Sequence, residues 1–305
     1  PNLNGSSSNK VMHRTSEVAA RQENQTKEPR QDWITMKSVG FVGLGAMGSV
    51  MAPLPLKAGY SVIGFDSAAT LNENSGVFLA SQLEDLINCD AIILMLPDGA
   101  IVEKVATSLA DFGFKGFIID MSSSHPNGTI TLSQQLNEKS IRLIDAPVSG
   151  GQKKAALGTL MVMAGGEKAD LDHIRTLLDC FGHVVHVGPL GAGHAMKALN
   201  NYVSAAGLLA SMQALATAES FGINPEIFTT VINGSTGRNN TTEVKLVPFI
   251  ISRNYYSGFS LNLMAKDVSI ASELIANAGF DAPPTGALND YLATALKALN
   301  AGADH

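Results

Sequence analysis

Cysteine is scarce in this sequence, and long apolar runs are missing. The two cysteines, Cys89 and Cys180, have no spacing typical of a disulfide framework or a metal site. This scarcity favours a reducing compartment, so we expect a cytoplasmic protein, or a mitochondrial one if the source is eukaryotic. No apolar stretch reaches the roughly 18 residues that a membrane span needs, so we expect no membrane partner.

Positive charge is also in short supply. Lys and Arg total 21 against 27 Asp and Glu, which gives a net charge of −6, and the basic residues form no run. Because a nucleic-acid-binding surface needs a basic patch, the composition argues against a nucleic-acid partner. Hydrophobic residues make up 45% of the 305 residues, enough for one large domain or two ordinary domains.

The first 37 residues are polar and show neither helical nor strand periodicity. They contain acidic residues such as Glu17, Glu23 and Glu28, which argues against a signal or transit peptide. We expect residues 1–37 to form a disordered extension, with Met36 as a candidate original start.

Short apolar segments alternate with longer helical segments from residue 38 onwards. The strand candidates are "SVGFVGL", "GYSVIGFD", "DAIILMLP", "GFIIDMS" and "IRLIDAPVS", and the helical candidates between them include "LASQLEDLINC" and "HPNGTITLSQQLNEK". This alternation predicts βαβ units in an α/β fold, with a doubly wound parallel sheet covered by helices on both faces.

The strand pattern stops near residue 190, and helical periodicity replaces it. The stretch "HAMKALNNYVSAAGLLASMQALATAESFG" predicts one helix of about seven turns that ends at Gly222. Further helices are predicted in "NPEIFTTVING", "KDVSIASELIANAGF" and "PTGALNDYLATALKALN". We therefore expect an α/β domain over residues 38–195, followed by an all-α C-terminal domain over residues 196–305.

The glycines of "FVGLGAMGSVMA" follow the first strand at the spacing of a Rossmann-type dinucleotide loop. Gly43 permits the tight turn, Gly45 admits the pyrophosphate, and Gly48 lets the helix pack closely on the strand. Asp66 ends the next strand, 23 residues after Gly43, where an acid binds the adenosine ribose. No basic residue follows closely to hold a 2′-phosphate, so NAD is favoured over NADP.

Two prolines interrupt the helix that the glycine loop opens. Pro53 and Pro55 each remove an intrahelical hydrogen bond and crowd the preceding turn. We expect a kink or an early end of the helix there, beyond the first turn that holds the phosphates.

Three further stretches carry candidate chemistry, each with a purely structural alternative. In "DAPVSGG", Ser149, Gly150 and Gly151 form either a small anion cradle or an ordinary turn. Lys197 and Asn201 share a helix face, unless the lysine only extends past its apolar neighbours to solvent. In "GFSLNLMAKDVSIA", the adjacent Lys266 and Asp267 could equally be a structural ion pair.

The histidines give weaker signals. His183 and His186 are three residues apart in a strand candidate, which places them on opposite faces and argues against a shared metal. His194 lies near Lys197, but we expect a surface histidine at a helix start. His125 follows a run of serines and has no assigned role.

Taken in order, "GLGAMGSVMA", "DMSSSHP", "DAPVSGG", "GAGHAMKALNN" and "GFSLNLMAKD" resemble the β-hydroxyacid dehydrogenase family, the 3-hydroxyisobutyrate dehydrogenase-like enzymes. The resemblance covers residues 39 to about 300. It implies that a long helix links the two domains and that the active site lies in the cleft between them. It further implies a homodimer or a homotetramer.

The resemblance also implies roles for individual residues. Lys197 is the catalytic lysine and Asn201 its substrate-binding neighbour. The substrate carboxylate lies against the following set: Ser122 or Ser123, with Ser149, Gly150 and Gly151. The nicotinamide and its phosphates lie against a larger set: Gly43, Gly45, Ala46, Met47, Gly48, Asp66, Leu96, Pro97, Phe259 and Lys266.

These features predict an NAD-dependent oxidoreductase that oxidises a 3-hydroxy acid or reduces the matching semialdehyde or keto acid. Lys197 acts as general acid and base, because burial and the positive nicotinamide both lower a lysine pKa. No metal is required. The substrate is a small carboxylic acid, and the polar loop around Asn240 suggests a hydroxylated acid or a β-hydroxy-amino acid.

Two alternatives remain open at this point. One is an NADP-dependent semialdehyde or imine reductase, although imine reductases lack the lysine and Asp66 disfavours NADP. The other is a non-catalytic dinucleotide-binding protein, against which the presence of Lys197 argues. 6-Phosphogluconate dehydrogenases share the helix with lysine and asparagine but are much longer.

Overall fold

A mixed sheet of nine strands organises the first half of the described chain. The computed structural model describes residues 36–68, 71–280, 283–299 and 302–305, so the extension expected over residues 1–37 falls almost entirely outside the described residues. The strands are β1 Ser38–Val42, β2 Ser61–Phe65, β3 Phe78–Leu79, β4 Ala91–Leu94, β5 Gly116–Asp120, β6 Ile141–Asp145, β7 Val148–Ser149, β8 Leu160–Gly165 and β9 Gly182–Gly188.

The first six strands form a parallel sheet in the order β3-β2-β1-β4-β5-β6, and β8 continues it in the antiparallel direction. β7 and β9 both pair with β8, antiparallel and parallel respectively. β4 is buried along its full length, as expected for a central parallel strand with helices on both faces. One buried cluster lies on each face of the sheet, with Phe41 in one cluster and Ile92 in the other. The Rossmann-type prediction is confirmed.

Ten α-helices occur in the described residues. They are α1 Gly48–Met51, α2 Gly99–Asp111, α3 Pro126–Glu138, α4 Gly151–Ala156, α5 Lys168–Asp179, α6 Ala192–Ser220, α7 Pro225–Asn233, α8 Asn240–Val244, α9 Leu261–Asn277 and α10 Pro283–Ala298. The long helix α6 and the C-terminal helices match the sequence prediction. They bury a separate apolar cluster that includes Leu208, Val268 and Leu288.

The two prolines act on α1 as expected. α1 ends at Met51 after a single turn, and a 3₁₀ helix follows over Leu54–Ala58. Gly59, in the left-handed conformation, ends that segment before β2. The first turn after the glycine loop is preserved.

One helix prediction is wrong, and three strands were not predicted as such. "LASQLEDLINC" forms only a 3₁₀ turn over Leu83–Leu86, because the chain must reach β4 at Ala91, and the Asp90 carboxylate just before it accepts from the backbone N–H groups of Lys37 and Ser38. The predicted strands include neither β3 nor β8, and "IRLIDAPVS" was predicted as one strand although it forms both β6 and β7. Each of β3 and β7 has only two residues, too few to show a period.

Among the described residues, no helix combines the length and the apolar character needed to cross a bilayer. Residues 36–305 cluster as one compact unit. The boundary expected near residue 195 lies within this unit and stays a prediction.

Candidate active site

The glycine loop presents its backbone to an open surface. Gly43 has φ of +97°, which favours glycine, and its N–H donates to the Phe65 carbonyl. A Cβ on Gly48 would collide with the carbonyl oxygen of Gly43, whereas a Cβ on Gly45 would meet nothing within 4 Å. The loop therefore packs tightly at Gly48 and stays open at Gly45, a shape that fits an approaching pyrophosphate.

Asp66 joins the end of β2 to this loop. Its Oδ2 accepts a hydrogen bond from the Leu44 N–H at 2.7 Å, and its Oδ1 accepts from the Ala68 N–H at 2.8 Å. The carboxylate thus lies beside the glycine loop, and carboxylate oxygens can each accept more than one hydrogen bond. This position fits the predicted contact with the adenosine ribose.

The amine of Lys197 is held at the mouth of the cradle. Its Nζ donates to the Val148 carbonyl at 2.9 Å, directly before Ser149. The side chain comes from the second turn of α6, whereas Val148 belongs to β7. The contact therefore joins the long helix to the "DAPVSGG" loop.

A single buried carboxylate connects the other predicted polar residues. Asp267 Oδ1 accepts from the Ser123 hydroxyl at 2.6 Å, and its Oδ2 accepts from the Asn201 amide at 2.5 Å. The Lys266 ammonium lies 3.2 Å from Asp267 Oδ1 and donates to the Ser123 carbonyl. Ser123, Asn201 and Lys266 are therefore brought together, and Asp267 is a residue of the site rather than only the partner in an ion pair.

Burial lowers the pKa of the Lys197 amine below its ordinary value of 10.5. The nearby Lys266 ammonium lowers this pKa further, whereas the Asp267 carboxylate raises it. Removing the amine from water is the largest of these effects, because the charged form is the one that burial penalises. A lysine with a lowered pKa is suited to exchange protons with a reacting group.

Two glycines give the Ser149–Gly151 segment its turn. Gly150 and Gly151 have φ of +142° and +70°, and they turn the chain from β7 into α4. A Cβ on Gly151 would meet nothing within 4 Å, so the backbone is open there. Gln152, which sequence reasoning missed, donates from Nε2 to the Ala46 carbonyl at 2.8 Å and joins the cradle to the glycine loop.

The two candidate serines have different surroundings. Ser122 is buried, and its hydroxyl accepts from the Leu96 N–H at 2.9 Å and donates to the Leu94 carbonyl at 3.3 Å. Ser123 is only partly buried and points to Asp267. Ser122 thus fixes the loop that carries Leu96 and Pro97, whereas Ser123 lies with the polar residues around Lys197.

Phe259 and Asn240 have contacts with other parts of the helical region. The Phe259 ring packs edge-on against His305, with ring centroids 5.4 Å apart. Asn240 opens α8, and its neighbour Asn239 donates to the Ser211 hydroxyl at 3.1 Å. Ser211 is 14 residues beyond Lys197, about 21 Å along α6. The roles of Phe259 and Asn240 stay predictions.

The expectation of a surface histidine at position 194 is wrong. His194 is fully buried beside the carboxylates of Asp120 and Asp145. The acids that end "GFIID" and "IRLID" were the available signal, since a charged residue closing a buried strand needs a partner. His125 lies 3.3 Å from Glu273 on α9.

The site has no arrangement typical of a metal centre among its described residues. Across the described part of the chain, no group of three or more His, Cys, Asp or Glu side chains is arranged to hold a metal ion. The polar side chains here are the two lysines Lys197 and Lys266, one carboxylate, an amide and a serine. This donor set suits an organic acid better than a cation, because both ammonium groups repel a metal.

Two family models match successive parts of the chain. Residues 38–188 match the NAD binding domain of 6-phosphogluconate dehydrogenase. Residues 191–305 match the model described as NAD-binding of NADP-dependent 3-hydroxyisobutyrate dehydrogenase.

Several characterised proteins are similar over most of their length. The chain is 35% identical to the 2-(hydroxymethyl)glutarate dehydrogenase of Eubacterium barkeri over 247 residues, 77% of this chain and 81% of that protein. It is 32% identical to the NAD-dependent L-serine dehydrogenase of Pseudomonas aeruginosa, over 83% of this chain and 90% of that protein. A solved structure of Mycobacterium tuberculosis 3-hydroxyisobutyrate dehydrogenase with L-serine matches with a TM-score of 0.79 and 32% identity, over 88% and 96% of the two chains.

Proposed function

The chain belongs to the β-hydroxyacid dehydrogenase family, and we propose that it oxidises a small polar 3-hydroxy acid with the amine of Lys197 as general base. It is an oxidoreductase that uses NAD, like the similar NAD-dependent L-serine dehydrogenase. The assignment of individual residues below is our proposal.

One observation carries the proposal. The Lys197 amine lies beside the Ser149–Gly151 cradle, with its pKa lowered by burial, and faces the group formed by Ser123, Asn201 and Asp267. An amine in this position can accept the proton of an alcohol whose carboxylate is held by the cradle. Such general base catalysis contributes about 10²–10⁴-fold to a rate.

The glycine loop and its neighbours would hold the cofactor. Gly43, Gly45 and Gly48 provide the open backbone for the pyrophosphate, with Ala46 and Met47 between them, and Asp66 binds the adenosine ribose. Leu96, Pro97, Phe259 and Lys266 would line the nicotinamide end. When bound, NAD supplies the acceptor for the hydride that leaves the carbinol carbon.

The remaining residues orient the substrate. Gly150 and Gly151 offer backbone N–H groups to its carboxylate together with Ser149, and Ser123 stands on the other side of the amine. Asn201 holds the alcohol or the lysine, and Asp267 fixes the direction of the Asn201 amide. In the reverse reaction the Lys197 ammonium returns the proton to the forming alkoxide and stabilises its charge.

A polar substrate agrees with the relatives. The similar proteins include an L-serine dehydrogenase and a 3-hydroxyisobutyrate dehydrogenase structure with L-serine. We therefore favour a β-hydroxy-amino acid or a hydroxylated acid. Asn240 would contribute to this preference if α8 moved closer to Lys197. The neighbouring Asn239 contacts Ser211, about 21 Å along α6 from Lys197.

We also propose a homo-oligomer in the cytoplasm, or in mitochondria for a eukaryotic source. The helical region exposes Val203, Phe221, Ile227 and Val231, each more than half exposed. The domain division near residue 195 belongs to the same proposal, with α6 as the link.

The experiment is a substrate panel that monitors NADH formation. We expect serine, threonine or a hydroxylated 3-hydroxy acid to give a higher kcat/KM than 3-hydroxyisobutyrate, and NAD to be preferred over NADP. A clear preference for 3-hydroxyisobutyrate would contradict the polar substrate. Activity on cyclic imines with NADPH would favour an imine reductase. Binding of NAD without turnover of any acid would favour a non-catalytic dinucleotide-binding protein.

A further inference from the structure

His194 is a buried titratable residue that the proposed mechanism does not use. It lies in the first turn of α6, three residues before Lys197, and its side chain has no exposed surface. Its Nδ1 is 2.8 Å from the Thr129 hydroxyl of α3, and its Nε2 is 3.5 Å from Asp120 Oδ2. A polar ring at this depth is costly unless its neighbours satisfy it.

Two carboxylates flank the ring at the ends of adjacent strands. Asp120 and Asp145 are register partners in the parallel pair β5 and β6, and both are buried. Asp145 accepts from the backbone N–H groups of Gly191 and His194, each at 2.8 Å, and so caps the start of α6. Asp120 accepts from the Ser122 N–H at 2.9 Å and the Ser124 hydroxyl at 2.7 Å.

The environment determines where the ring carries a proton. Among the described residues, Nε2 has no hydrogen-bond partner of good geometry, and it faces the Asp120 carboxylate. A bare lone pair on Nε2 would be repelled by that carboxylate at 3.5 Å, whereas Asp145 lies farther from Nδ1, at 3.9 Å, so the geometry favours a hydrogen on Nε2. The N–H then attracts Asp120, while Nδ1 contacts Thr129.

Three segments of the proposed site therefore meet at one ring. Asp120 begins the serine segment that contains Ser123, Asp145 begins the "DAPVSGG" segment, and His194 itself starts the helix that carries Lys197. A rigid junction at this point sets the distance between the amine and both walls of the substrate site.

We propose that His194 is a positioning residue that holds Lys197 in register with the serine segment and the cradle. The inference rests on the proposed role of Lys197. Misplacement of a reacting group by about 1 Å costs on the order of 10²-fold in rate, which sets the scale of the effect.

The test compares His194→Leu with His194→Gln. Leucine fills the space without a polar atom, whereas glutamine places an amide donor toward Asp120. We expect His194→Leu to lower kcat about 10–100-fold, with the Kd for NAD and the substrate KM each within about three-fold of the parent. Glutamine should restore kcat to within about five-fold of the parent. His183→Leu, at an exposed position of β9, is the matched control and should keep parental kinetics.

A parental kcat in His194→Leu would overturn the inference. A second result would also overturn it: kcat falls, glutamine does not restore it, and NAD affinity falls equally. That pattern indicates a structural role alone. If the leucine variant does not fold, Thr129→Val decides in its place: a kcat lowered about three-fold or more at unchanged NAD affinity supports the inference, and parental kcat contradicts it.

Lys197→Ala, measured alongside, separates the two proposals. If it keeps activity, the proposed function fails whatever His194 does. If it is inactive while His194→Leu has parental kinetics, only the positioning role fails.

Discussion

Asp267 sets the electrostatic balance among the polar side chains of the site. Its two oxygens hold Ser123 and Asn201, and its charge opposes the effect of burial on Lys197. The amine must be neutral to accept a proton, so a lower pKa increases the reactive fraction near neutral pH. The carboxylate therefore lowers the fraction of neutral Lys197 amine, but it also fixes the positions of Ser123 and Asn201.

We expect kcat/KM for oxidation to rise with pH through the Lys197 pKa and to level off below the ordinary lysine value of 10.5. In Asp267→Asn the negative charge that raises the pKa is lost, so the rising limb should move to lower pH. KM should also increase. The asparagine side chain has a single oxygen, so it cannot replace the two carboxylate oxygens that accept from Ser123 and Asn201. A pH–rate profile checks this, and a limb displaced to higher pH would contradict it.

Asp66 provides a test of cofactor choice. Asp66→Ala removes the acceptor next to the Leu44 N–H and the negative charge that repels a 2′-phosphate. We expect NAD affinity to fall by about ten-fold and the preference over NADP to narrow, since a bidentate ribose contact is worth about 1–2 kcal/mol. Asp85→Ala, which removes the exposed cap of a 3₁₀ turn, is the control. An unchanged ratio of kcat/KM values for NAD and NADP would refute the assignment.

At the level of structural elements, two glycines of the glycine loop have different functions: Gly48 is needed for packing and Gly45 for cofactor binding. Gly48→Ala forces a Cβ against the Gly43 carbonyl and should lower the free energy of unfolding by about 1–3 kcal/mol. Gly45→Ala places a methyl group in open space, so Tm should stay near that of the parent while NAD affinity falls about ten-fold or more. Thermal unfolding and NAD titration of both variants check this pair. Equal effects of the two on stability would show that the loop is not open at Gly45.

The elements that the sequence predicted are those with a clear period. β4 is uniformly apolar, α6 has 29 residues, and Gly43 and Asp66 have fixed positions relative to the first two strands. "LASQLEDLINC" shows the limit of this reasoning. Its apolar spacing fits a helix, but Asp90 is bound to the start of β1, which leaves room for only one turn.

Part of the site could also be predicted from single residues. Lys197 stood out because an ammonium group is unexpected among apolar neighbours, and Ser149 because it precedes two glycines. Asp267 and His194 could not be placed, because their partners are distant in sequence: Asn201 is 66 residues from Asp267, and Asp145 is 49 from His194. Only the fold reveals such long-range pairs.

The folded chain has exposed apolar side chains at and just before α7. Phe221 is 82% exposed, and Ile227 and Val231, one helical turn apart, are 59% and 58% exposed. Large apolar groups at this exposure are typical of a surface that another subunit covers. In the proposed homo-oligomer this segment would be part of the interface.

A double variant tests that surface. Ile227→Glu with Val231→Glu places two charges on the exposed face of α7 without altering its buried Thr229. We expect light scattering to give a multimeric mass for the parent and a smaller mass for the variant, because a charge buried at an interface is strongly unfavourable. Lys168→Glu, at an exposed position of α5, is the control. Identical masses for parent and double variant would exclude this face from the interface.

The central claim is that the Lys197 amine exchanges the substrate proton. The most direct measurement compares kcat and NAD affinity of Lys197→Ala with those of the parent on the best acid of the panel. Loss of about 10²–10⁴-fold in kcat with NAD affinity within about three-fold of the parent is the predicted result. Turnover close to the parental rate would contradict the account and would leave the chain a dinucleotide-binding dehydrogenase with a different base.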